Sequence, residues 1–117
     1  MAAENRLYVR YSLQGMILIQ ETGSIKTLKG ELVDLSFKGC AAYCKQPLKL
    51  ENGVKFIVKT EELGVHFQGT AQVKYCQPIV RNSETLYRIG IEFVGVDSEQ
   101  VRDALLHLQK RVEGNGA

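Results

Sequence analysis

Apolar residues recur along this chain in two rhythms, one of a strand and one of a helix. Met16-Ile17-Leu18-Ile19 is a short apolar run bounded by Gly15 and by Thr22-Gly23-Ser24, which predicts a buried strand followed by a turn. Residues 28–36 resume an extended pattern anchored by Leu28, Leu32 and Val33, and Gly39 to Cys44 gives the next strand. Pro47 and Asn52-Gly53 bracket a loop, Asn-Gly being a strong turn signal. Val54 to Lys59 is β-branched and aromatic, hence a strand, and Glu61-Glu62-Leu63-Gly64 turns the chain. Residues 65–76 alternate in part and predict a long strand bent near Gly69. Pro78 to Glu84 reads as a loop, and Leu86 to Val94 as a last strand with Ile89, Ile91 and Phe93 on one face.

The period then changes. Asp97 is a cap, Gln100 follows three residues later, and Val101, Leu105, Leu108 and Val112 recur at helical spacing until Gly114. About six strands joined by short turns predict a mainly β fold, a six-stranded antiparallel barrel with one C-terminal helix packed on it. The expected organisation is an arm over residues 1–14, with mixed polarity and no clear period. The barrel and helix follow over 15–113 and a tail over 114–117.

Composition narrows the function classes. At 117 residues the chain suits one domain with its own core. A net charge of +2 provides little long-range field, against the strongly basic face of a dedicated DNA- or RNA-binding protein. No run approaches roughly 18 apolar residues, and Met1 to Arg6 has no apolar signal core, so a cytoplasmic protein with no membrane insertion is expected. Cys40, Cys44 and Cys76 are odd in number and lack CxxC spacing, so they read as small buried hydrophobes; no metal site is expected. His66 and His107 each stand without a nucleophile or carboxylate at recognisable spacing, and no catalytic residue is assigned.

The chemistry concentrates in Asp34-Leu35-Ser36-Phe37-Lys38-Gly39 and in the Arg6–Arg10 pair of the arm. In an extended chain Asp34 and Ser36 share a face, while Gly39 allows a close backbone approach. Two arginines four apart offer planar, permanently charged forks. The same residues also have plainer readings, as an Asx- or Ser-turn that ends a strand and as solvated surface charge.

Together, Arg6-x-x-x-Arg10 and Asp34-x-Ser36-x-x-Gly39 resemble the two signatures of the PilZ family, in that family's order. Tyr87-Arg88-Ile89-Gly90-Ile91-Glu92-Phe93 is similar to its final strand. The resemblance runs from about residue 6 to 110 and implies a split-barrel fold and a receptor for the bacterial second messenger cyclic di-GMP. It assigns ligand contacts to Arg6, Arg10, Asp34, Ser36 and Gly39, with no other cofactor. Arginine can pair with phosphate, fork onto guanine O6 and N7 and stack on a purine, and an ionised Asp34 accepts from guanine N–H groups.

The implied mechanism is an arm that orders over the ligand and so changes what a downstream protein partner meets. Asn5 stands where some members carry a further arginine, which points to one ligand per domain. Tyr75 replaces the tryptophan many members carry. The alternative is a PilZ-type protein-interaction module without nucleotide affinity. A small barrel for single-stranded nucleic acid would want a basic groove and exposed aromatics, and the chain has no Trp.

Overall fold

The structure, a computed structural model, describes residues 9–60 and 65–116. Seven strands appear there: β1 (Tyr11–Ser12), β2 (Met16–Glu21), β3 (Thr27–Leu35), β4 (Gly39–Cys44), β5 (Gly53–Thr60), β6 (Val65–Arg81) and β7 (Glu84–Val96). One helix follows, α1 (Ser98–Gly116). All pairings are antiparallel, and the order β2-β5-β6-β7-β4-β3 closes because β3 also pairs with β2. The result is the expected six-stranded barrel, with β1 as one extra strand on β3. Closure removes the free edges that an open sheet would expose.

Inward positions follow the period of two. Ile17 and Ile19 of β2, Val54, Phe56 and Val58 of β5, and Ile89 and Ile91 of β7 are all buried. Phe56 stacks on Phe93 at 5.1 Å, and Phe67 meets both edge-on at 6.1 and 5.9 Å. Such offset and T-shaped pairs suit the quadrupoles of the rings. Asp97 Oδ1 accepts from the backbone N–H groups of Glu99 and Gln100 and caps α1. The helix packs on β1 and β6 and buries Val101, Ala104, Leu105 and Leu108. Val112, the remaining position of the predicted stripe, lies outside the residues whose side chains are described.

Two features depart from the sequence reading. Pro78 to Glu84 is not a loop: β6 runs through Pro78 to Arg81, and only Asn82 and Ser83 turn the chain, at φ of 53° and 64°. Both residues adopt the left-handed backbone of a tight hairpin turn. Pro78 is tolerated because β5 pairs with β6 only as far as Gly53↔Gln72. Beyond that point the missing N–H breaks no ladder on the open side. Secondly, the arm's end is not patternless, since Tyr11 pairs with Leu35 and Ser12 with Asp34. β1 thereby continues along the edge of β3 that β2 leaves at Glu31.

Cys40 and Cys44 face the core, free and buried, while Cys76 is half-buried. Burial first, and then the Asp34 carboxylate, pushes the Cys40 thiol far up; burial likewise pushes Cys44 from 9.0 to about 11. Above pH 9 the unfolded chain gives up these protons and the folded chain keeps them, so stability falls as pH rises from about 9 to 11. Urea midpoints measured from pH 8 to 11 are expected to drop across that window, with a shallower drop in Cys44→Ala.

Candidate ligand-binding site

The end of β3 gathers most of the residues singled out by the sequence. Asp34 sits on the outward face of β3, yet its side chain is only 10% exposed because guanidinium groups cover it. Arg10 leaves the chain just before β1, whose pairing with Leu35 and Asp34 draws it to the end of β3. Its Nη1 donates to Asp34 Oδ1 at 2.9 Å. Arg6 lies outside the described residues.

β3 ends at Leu35, and Ser36 to Gly39 form the hairpin turn into β4. The Ser36 N–H donates to the Gly39 carbonyl at 2.8 Å. The Ser36 hydroxyl, itself buried, accepts from the Gly39 N–H at 3.3 Å and lies equally close to the Gly39 carbonyl. Ser36 therefore closes the turn, as its plainer reading had it. Gly39 faces Glu92 of β7, and a Cβ there would collide with the Ile91 carbonyl oxygen. The glycine is needed by the close approach of β4 to β7.

Two site residues, Arg88 and Tyr43, escaped the sequence reading. Arg88 of β7 places Nη2 3.5 Å from Asp34 Oδ2, so each carboxylate oxygen has its own guanidinium. Arg88 Nη1 also donates to the Tyr43 hydroxyl at 3.3 Å. A hydrogen bond with the Tyr75 hydroxyl above all, then the one with Tyr43, raises the Arg88 pKa despite partial burial, so the guanidinium keeps its charge.

Register explains the convergence: Asp34, Ala41, Gly90 and Tyr75 form one row across β3, β4, β7 and β6. Tyr43, Arg88 and Gln77 continue the next row. The Tyr75 ring lies on Gly90, where any Cβ would strike it. The signal available in the sequence was the alternation of Arg88 with Ile89 and Ile91, which sends Arg88 outward. Which outward residues become neighbours depends on strand order, and that is not local.

These elements support recognition of an anionic, hydrogen-bonding ligand: a buried acceptor, two cationic forks and two phenols on one outer face. Among the described residues no group of three or more His, Cys, Asp or Glu is arranged to hold a metal ion. The profile of the PilZ domain matches residues 4–110, nearly the whole chain. The chain belongs to the PilZ domain family. No curated protein sequence matches it.

Solved structures resemble it. The PilZ domain of YcgR from Escherichia coli, solved with c-di-GMP, superposes with a TM-score of 0.73 at 18% identity. That match covers 93% of this chain and 95% of that one. The K. pneumonia MrkH–c-di-GMP complex gives 0.74 at 20% identity, covering 92% of this chain and 51% of its own. The Bacillus subtilis inhibitor of motility MotI/DgrA gives 0.71 at 14%, covering 92% and 50%. The chain thus spans about half the length of the latter two. At these identities the similarity shows the PilZ fold.

Gly39→Ala is expected to force β4 away from β7 and cost about 1–3 kcal/mol of stability. Ser36→Ala should cost only about 1 kcal/mol, the worth of an ordinary hydrogen bond. Urea denaturation of the two variants beside the parent chain measures both.

Proposed function

We propose that this PilZ domain binds cyclic di-GMP through Arg6, Arg10, Asp34, Ser36 and Gly39 and relays binding to a downstream protein by ordering its arm. The observation that carries this reading is the buried Asp34 carboxylate, shared between Arg10 from the arm and Arg88 from the barrel. The bound states of the YcgR and MrkH structures support it by similarity of fold.

The energetics favour an exchange. The Arg10 side chain is 53% exposed, so its pair with Asp34 is worth no more than about 1 kcal/mol. A ligand carrying two phosphate charges competes for that guanidinium on good terms. Asp34 could not be left bare, because an unpaired buried carboxylate is costly. Arg88 keeps it paired while Arg10 turns to phosphate or base, leaving Asp34 free to accept from guanine N–H groups. Arg10 immediately precedes β1, so its new partner is passed directly to the arm. Ligand shifts the arm only through its differential affinity for the two arm states.

A second reading is a protein-interaction module without nucleotide affinity. It is favoured by Ser36 and Gly39, whose roles in the turn account for both residues without a ligand.

Calorimetric titration with cyclic di-GMP, with GTP and cyclic di-AMP as controls, separates the two. The receptor reading expects saturable binding near one to one, weakened about ten-fold or more by Arg6→Ala, Arg10→Ala or Asp34→Ala. Arg10→Lys should also weaken binding, since lysine keeps the charge and loses the fork. No binding at tens of micromolar, roughly −6 kcal/mol, would leave the interaction module.

A further inference from the structure

We infer that a cleft beside Tyr43 is a second base-and-phosphate subsite, taking the other nucleotide half of the same cyclic dinucleotide. The inference rests on the cyclic di-GMP reading and extends it to residues outside the two signature motifs. The cleft, of about 500 Å³, is lined by Lys29, Glu31, Tyr43, Lys45, Arg81 and Leu86 among others. A volume of that order matches small-molecule sites in general. Its charged lining carries three cations against the single carboxylate of Glu31.

Tyr43 forms the aromatic wall and is only half-buried. The Arg81 guanidinium carbon lies 5.2 Å from its ring centroid and that of Arg88 lies 5.8 Å away. An aromatic ring with guanidinium planes on it is a surface on which a purine stacks.

Position ties this cleft to the first site. Tyr43 is two residues along β4 from Ala41, the partner of Asp34, so about 7 Å separates the two rows. Arg88 bridges them, contacting Asp34 on one side and Tyr43 on the other. A ligand with two bases joined through two phosphates can reach both.

Arg81 is well placed to meet it. It closes the last register pair of the β6–β7 hairpin, Arg81↔Glu84, above the Asn82–Ser83 turn. Its present partner is Glu31 at 3.2 Å, in a pair 47% and 62% exposed. Lys45 faces Glu84 at 3.9 Å, also in the open. Exposed pairs of this kind contribute little and yield readily to a phosphate.

The test is amide chemical-shift mapping of the ¹⁵N-labelled chain with cyclic di-GMP, beside calorimetry of Tyr43→Ala, Tyr43→Phe and Arg81→Ala. The amides of Tyr43, Lys45, Arg81 and Leu86 are expected to move in step with those of Asp34, Ser36 and Gly39. Tyr43→Ala is expected to weaken binding by about 5-fold to 150-fold, the range for loss of one base–aromatic stack. Tyr43→Phe, which keeps the ring, should recover most of that loss. Arg81→Ala, at an exposed position that the fold does not need, should weaken binding about ten-fold. Shifts confined to residues 34–39, with Arg81→Ala within about two-fold of the parent, would overturn the subsite and leave the receptor standing. No shift anywhere would overturn both.

Discussion

The barrel depends on a single strand meeting three others. β3 pairs with β2 over residues 27–31, with β4 over 30–35 and with β1 at its end. Closure therefore rests on β3 crossing from one neighbour set to the next, helped by the irregularity between Leu32 and Asp34. The same crossing sets Asp34 where the arm arrives, the barrel seam closes and β4 turns back. A strand that only filled the sheet would place a carboxylate on its surface. This one places it where Arg10, just before β1, and Arg88 of the barrel can both reach it.

Electrostatics then gives the two arginines unequal duties. Arg88 projects from a central strand and is braced by the Tyr43 and Tyr75 hydroxyls, so it behaves as part of the scaffold. Arg10 makes the shorter contact with Asp34, 2.9 Å against 3.5 Å, but stands more in water, where screening discounts the pair. In the proposed receptor the more exposed guanidinium is the one exchanged for ligand, and the braced one prevents a bare buried charge. Beneath this face the core is apolar, with Cys40 and Cys44 acting as small hydrophobes whose thiols burial holds protonated. Such thiols are poor nucleophiles.

Much of the fold was legible because its signals are local. Ile17 and Ile19, Ile89 and Ile91 alternate as strands do, Asp97 caps the helix, and the Val101–Leu105–Leu108 stripe faces the core as its spacing required. The β6–β7 hairpin was misread at Pro78, where proline signals a break unless one edge of the strand is unpaired, and pairing is a tertiary fact. Of the motif residues, Arg10, Asp34, Ser36 and Gly39 do converge at the end of β3, while Arg6 lies outside the described residues. Their partition into turn-makers and charge-bearers was not legible, because it depends on Ile91 of another strand and on where Ser36 folds back. Arg88 and Tyr43 were hidden for the same reason, since only the β4–β7 register makes them neighbours.

In the proposed receptor, ligand works through the arm, by taking Arg10 from Asp34 while the barrel stays as it is. Hydrogen exchange read by mass spectrometry, with and without saturating cyclic di-GMP, tests this most directly. The account predicts new protection in peptides covering residues 1–14, with the buried strands β5 and β7 unchanged. Binding without any change in exchange over residues 1–14 would contradict it, and the relay would have to run through another surface.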